Sequence, residues 1–354
     1  MSTADVCAAI LWTTIALYAI FGGADFGAGI WDLLARDKTG RAGARPRTMR
    51  AKRVRAQIDR SIGPVWEANH VWLVFVLVVA WTAFPTLFSA VMTTLYIPIA
   101  LAALGIVLRG SGFAFRHALP GPVERPASRV FGLSSVLTPF FLGTVVGAIA
   151  SGEVPAEGSG DPTGSWIGLL PFTTGALLVV VNAYTAAVFL VHDSGAAGDE
   201  GLRAYFERRA LAVGVLAGVI AVIGVIALHE DARFVYDGLT SWPGIFLVLL
   251  SGVCGLVVVG LLASGRYLGL RFAAVGAYAA LIWGYFAGVF PYVLPTSLTI
   301  SEAAGTSATL TATIIVFGCA VVAVVPALAL LYVLAQRQAL DGYSTTSDVT
   351  SPRQ

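Results

Sequence analysis

Apolar residues run along this chain in blocks longer than the ~18 residues that a helix needs to cross a bilayer, and polar residues collect in the stretches between them. The pattern predicts nine spans, at 6–34, 65–84, 88–113, 129–150, 166–191, 210–228, 243–264, 272–291 and 309–335. The expected fold class is therefore an all-α integral membrane protein with about nine transmembrane helices, residues 1–340 forming a single polytopic membrane domain. The Ser/Thr-rich end, 341–354, reads as a polar, disordered tail. Residues 1–5 carry no Lys or Arg, and the apolar run after them is too long for the core of a removable signal, so the first block is expected to be a retained helix.

Composition sharpens the class. Of 354 residues 57% are apolar and 12% charged, and mean hydropathy is +0.82; a water-soluble globule needs a polar shell that these values exclude. The charges also predict an orientation. Ten Lys or Arg against two Asp lie between Arg36 and Arg60, which by the positive-inside rule makes that segment a cytoplasmic loop and puts the N-terminus outside. Nine alternating spans then bring the C-terminus to the cytoplasm. The other segments predicted inside carry Arg116, Arg125 and Arg129, then Arg203, Arg208 and Arg209, then Arg266 and Arg271, and finally Arg337 and Arg353. Those predicted outside are acidic, with Glu153, Glu157 and Asp161, then Glu230, Asp231 and Asp237, then Glu302; Arg233 is the exception. A net charge of +2 placed at membrane edges gives no reason to expect nucleic acid as a partner. Cys7, Cys254 and Cys319 stand alone in apolar runs, without the spacing of a disulfide framework or a zinc site.

Chemistry is to be sought among ionisable residues inside spans, because each costs about 2.5–3.5 kcal/mol on insertion scales unless it is paired or hydrated. These are Asp25 and Asp32 in the first span, Glu67 and His70 in the second, and Arg109 in the third. At ~1.5 Å per residue Asp25 lies about 16 Å before Arg36, Glu67 about 10 Å after Arg60, and Arg109 about 10 Å before Arg116, so all three fall in the cytoplasmic half. Asp25 and Asp32 are seven apart and share a helix face with Gly22 and Gly29, whose missing side chains permit close helix approach. Asp32, near the boundary, reads as an interfacial carboxylate paired with a nearby Arg. Asp25 has two readings, a buried counter-ion to Arg109 or a proton- or quinone-site group. Glu67 and His70 are three apart and face the same way, with Trp66 and Trp72 on either side. A carboxylic acid and an imidazole at that spacing can pass a proton; the alternative is a pair of satisfied structural groups. Four His and three Met, of which only His70 and Met92 fall within spans, are too few axial ligands for several haems. Haem chemistry would then belong mostly to a partner.

Four stretches carry a family resemblance. FGGADFGAGIWDLL at 21–34 resembles the first-helix signature of cytochrome bd oxidase subunit II. IGPVWEANHVWLVF at 62–75 resembles its second-helix signature in the form typical of the cyanide-insensitive branch, with Glu67 and His70 where the better-known branch has Asp and an uncharged polar residue. LRGSGFAFR at 108–116 is similar to the end of the family's third helix, and FPYVLPTSLTISEAAGTSATL at 290–310 to its last outer loop. They keep family order from the first span to the last.

The resemblance implies two four-helix bundles plus one additional helix. It implies a heterodimer with a subunit I carrying two b-type haems and haem d, which oxidises quinol and reduces dioxygen to water with protons drawn from the cytoplasm. A structural quinone on this subunit in some members, and a small third subunit, are further partners it leaves open. Carried over by residue, Glu67 matches the acidic position of the family's proton path, Trp72 the tryptophan beside it, and Asp25 the first-helix Asp. His70 departs from the better-known branch, either extending that path or hydrogen-bonding Glu67, while Gln57 and Asp59 read as the path's mouth or as ordinary loop polars. No catalytic or metal-ligating residue is expected on this chain. A proton-coupled secondary transporter and a purely structural membrane scaffold are the competing classes.

Overall fold

The computed structural model describes residues 2–35, 47–62, 66–118 and 124–336. The expected tail at 341–354 and the basic stretch from Arg36 to Pro46 lie outside the described residues.

The first apolar block forms one long helix, α1 (Thr3–Leu34). Ser2 and Asp5 close its start as a reciprocal capping box, each satisfying a backbone N–H that would otherwise lack a partner. Midway, Tyr18–Gly22 forms a single π-helical turn. The basic stretch expected as loop contains a helix instead, α2 (Arg47–Ile62). Its apolar residues Ala51, Val54 and Ile58 recur at helical spacing among the arginines and are buried, so burial of that stripe orders a segment whose charge alone reads as loop.

The second block is a one-turn helix, α3 (Trp66–Asn69), followed by α4 (Val71–Ala83). His70 joins them in helical conformation, with φ −71° and ψ −13°. The third block departs from expectation. Residues 85–94 do not belong to the span predicted at 88–113; they form a separate helix, α5 (Pro85–Thr94), bent by 115° from α4. Phe84 leaves helical geometry at φ −133°, ψ 64°, and Pro85, which has no N–H to donate, begins the new helix where none is required. The crossing helix α6 (Tyr96–Ala118) starts after a second break at Leu95.

The remaining helices follow the predicted blocks: α7 (Glu124–Ala150), α8 (Leu169–Ala196), α9 (Glu200–Asp231), the short α10 (Arg233–Thr240), α11 (Gly244–Ala263) and α12 (Leu270–Val289). A two-stranded hairpin, β1 (Tyr292–Leu294) with β2 (Leu298–Thr299), leads into α13 (Ile300–Ala303) and the last long helix α14 (Ser307–Gln336). Among the described residues eight helices are long and apolar enough to cross a membrane, and the bent pair α4–α5 supplies a ninth candidate.

Helix α1 packs against α4, α7 and α8, α6 packs against α7, α9 against α8, α11 against α12, and α14 lies against α1 and α4. Helix α8 is the centre of the packing, in contact with α1, α7, α9 and α12. Close approach of α1 to both neighbours depends on glycine: a Cβ at Gly27 would stand 1.9 Å from the Asn182 carbonyl oxygen on α8, and one at Gly29 would stand 2.1 Å from Ser135 Oγ on α7. The second half of α1 is thus wedged between α7 and α8, and Trp31 fixes it by donating from Nε1 to the Ala183 carbonyl at 2.8 Å. Apolar side chains such as Val215, Leu256 and Val322 point outward from α9, α11 and α14, as expected where lipid is the solvent.

Candidate functional site

Two charged clusters hang on α1, seven residues apart. The first centres on Asp25, only 3% exposed. Its Oδ2 accepts a hydrogen bond from Asn69 Nδ2 at 2.6 Å, and the same amide reaches the Phe21 carbonyl at 3.4 Å. Asn69 therefore ties α3 to the first helix across a buried contact. Arg109 of α6, also buried, is close enough for its charge and that of Asp25 to act on one another. Its Nε donates to Ser135 Oγ at 3.3 Å, and its guanidinium lies over the rings of Phe26 at 4.9 Å and Phe131 at 5.1 Å. Aromatic faces are negative, so they help to hold a cation that has left water.

The Phe26 ring is the hub of this site. His70 approaches it with ring centroids 6.3 Å apart, and Tyr18 at 6.5 Å, while the His70 and Tyr18 rings stand 6.1 Å apart. Trp72 completes the apolar wall with Tyr18 and Phe26. Asp25, His70, Trp72 and Arg109, picked out separately in the sequence, are thus brought to one place. The side chain of Glu67 lies outside the described residues; its backbone sits in α3, two residues before Asn69.

The second cluster centres on Asp32, 1% exposed. Arg55 Nε of α2 lies 3.0 Å from its Oδ1, and Arg116 Nη1 of α6 lies 3.0 Å from its Oδ2. Arg116 also pairs with Asp59 of α2 and lies over the Phe131 ring at 4.5 Å. The expected Arg partner of Asp32 is present, but the carboxylate is buried between two guanidiniums where an interfacial pair was anticipated, because α2 folds over it. Gln57 and Asp59 stand on that helix and not in a loop, and Asp59 is engaged with Arg116.

Asn69, Ser135 and Tyr18 escaped the sequence reading. Uncharged side chains carry no insertion penalty large enough to single them out, although Asn69 does fall between the two residues of the Glu67/His70 pair.

The profile of the cytochrome bd terminal oxidase subunit II family matches residues 3–335 of the chain. The chain belongs to that family. Among its relatives is a protein of Bacillus subtilis (strain 168), provisionally named as a cytochrome bd menaquinol oxidase subunit II, 22% identical over 312 residues that cover 83% of this chain and 84% of the relative. Cytochrome bd ubiquinol oxidase subunit 2 of the same organism is 24% identical over 253 residues, 69% of this chain and 71% of its own. A chain in the structure of bd oxidase from Geobacillus thermodenitrificans superposes with a TM-score of 0.77 at 26% identity, covering 94% of this chain and 98% of that one. This subunit II is accordingly a multi-pass membrane component of a respiratory quinol oxidase, and it partners a subunit I.

Membership implies haems in the complex, and the fit of this subunit's own residues to a haem is testable on its ligands. A haem iron needs an axial donor aimed into an open cradle. His70 is packed among Tyr18 and Phe26, His192 lies beside Asp193, and His229 is bonded to Glu230 and Arg233. No group of three His, Cys, Asp or Glu that could hold a metal occurs among the described residues. The three described histidines are thus each engaged with neighbouring side chains, and the side chain of His117 lies outside the described residues.

Proposed function

We propose that this subunit carries protons from the cytoplasm through the Asp25 site toward haems housed in subunit I, where quinol is oxidised and dioxygen reduced to water. In this reading Glu67, His70 and Asp25 carry the protons, Trp72 walls the route, and Arg109 is the structural counter-charge. The observation that carries it is the way Asp25 is held. A neutral amide, Asn69 Nδ2, anchors a carboxyl group that is almost wholly buried, at 2.6 Å. An amide N–H can donate to an ionised carboxylate or to the carbonyl oxygen of a carboxylic acid. Asp25 can therefore gain and lose a proton without losing its position, which a group that passes protons requires. The nearby Arg109 charge limits the cost of the ionised state.

Glu67 precedes Asn69 by two residues in α3, so the acid expected on the family's path stands on the element that touches Asp25. The orientation read from the Arg36–Arg60 charges places the Asp32 end of α1 at the cytoplasm. Protons enter near that end and move outward. Glu67→Gln in the assembled oxidase should lower both turnover and proton uptake from the cytoplasmic side by about 100-fold, the lower end of what a positioned acid or base contributes. Normal turnover with unchanged uptake would remove Glu67 from the route.

A scaffolding role is the second reading and rests on a different observation, the Asp32–Arg55–Arg116–Asp59 network, which joins α1, α2 and α6 through ion pairs.

A further inference from the structure

Tyr18 stands seven residues before Asp25, as Asp25 stands seven before Asp32. Seven residues rise about 10 Å along a helix, so the three side chains recur along α1 at about that interval. Tyr18 is 8% exposed, and its hydroxyl has no hydrogen-bond partner among the described residues. Most buried hydroxyls are satisfied, and a phenylalanine here would fill the same space without the desolvated oxygen. Packing therefore does not explain the hydroxyl.

Its surroundings suggest what it does. Tyr18 opens the π-helical turn Tyr18–Gly22, a local irregularity that recurs at functional sites. The ring lies over Gly22, where a Cβ would meet Cε2 at 2.9 Å and Cζ, the atom bearing the hydroxyl, at 3.5 Å. Gly22 is three residues before Asp25, so the ring leans along α1 in the direction of that residue. The His70 imidazole is its aromatic neighbour, and the charges of Arg109 and Asp25 both act on the phenol.

We propose that the Tyr18 hydroxyl is a relay group of the same route, lying one step beyond Asp25 and His70 and farther from the cytoplasmic end. The inference rests on the proton-delivery reading. In the step itself the phenol oxygen accepts, on a lone pair, a proton handed from Asp25 or His70 through an intervening water molecule, while its own O–H proton passes to a second water on the far side. The phenol ends neutral and no electron moves.

The test uses the complete oxidase, with both subunits, in liposomes, and compares wild type, Tyr18→Phe and Glu67→Gln. The readouts are turnover, the rate of proton uptake from the cytoplasmic side, and the solvent deuterium isotope effect. Tyr18→Phe should assemble with an unchanged haem spectrum, lose about tenfold in turnover and uptake together, and show a larger isotope effect; this is a smaller loss than that of an acid or base group. Unchanged turnover and isotope effect in Tyr18→Phe overturn the relay role, and if Glu67→Gln is slow in the same experiment the wider route survives. Both variants behaving as wild type overturn both. A Tyr18→Phe complex that fails to assemble shows the hydroxyl to be structural and overturns the relay role as well.

Discussion

Asp25 and Asp32 sit on one helix, are both buried, and are held in opposite ways. Asp32 lies between two guanidiniums, with the second of them shared by Asp59. Asp25 is anchored by the side-chain amide of Asn69, with the Arg109 charge nearby and itself supported by Ser135 and two aromatic rings. Protonating Asp32 would forfeit two ion pairs at once. Protonating Asp25 leaves its amide hydrogen bond available. Two carboxylates with the same burial are thus held by donors of different chemistry, and on the proposed reading only Asp25 changes charge.

The comparison can be broken by three substitutions. The largest effect is expected from Asp32→Asn, which leaves Arg116 and Arg55 without the carboxylate between them; removing one partner of a buried pair costs about 3–5 kcal/mol. Thermal unfolding of the purified complex should show it, with turnover per assembled complex nearly unchanged, and an undisturbed melting temperature would contradict the structural role. Asp25→Asn should give the reverse signature. Turnover falls by about 100-fold, equivalent to about 2.7 kcal/mol of barrier, while the complex still assembles; full activity would place Asp25 with Asp32 as a purely structural group. Ser135→Ala is the mildest. It removes the acceptor of a long hydrogen bond from Arg109 and should lower stability by about 1 kcal/mol, read by the same unfolding measurement, and a turnover loss as large as that of Asp25→Asn would show that Arg109 does more than balance charge.

Much of the fold was legible because lipid imposes a simple rule, that a crossing helix must be long and apolar throughout. Eight blocks announce themselves that way. The failure at residues 85–94 has the same origin: hydropathy measures apolar length and not direction, and the 115° turn at Phe84–Pro85 changes only direction. Proline at position 85 was the visible sign. Helix α2 was obscured by its arginines, although Ala51, Val54 and Ile58 kept the spacing of a buried stripe. At the site, charge made Asp25, Asp32, Glu67, His70 and Arg109 conspicuous, since each is expensive in a bilayer. The partners that distinguish Asp25 from Asp32 were not conspicuous. Asn69 and Ser135 are neutral, and Arg55 and Arg116 belong to segments whose charge was already explained by topology, so which donor meets which acid depends on helix packing that a linear pattern does not record.

Helix α2 is fastened on two sides by unlike ties. At one, Arg55 and Arg116 grip Asp32 in a nearly dry setting; at the other, the half-exposed Arg53 reaches Asp199, the residue that begins α9. Dissolved ions shorten the reach of exposed charges to about 10 Å at 0.1 M and weaken such contacts while sparing enclosed ones. Added salt should therefore loosen the tie between α2 and the start of α9 while the enclosed grip on Asp32 persists.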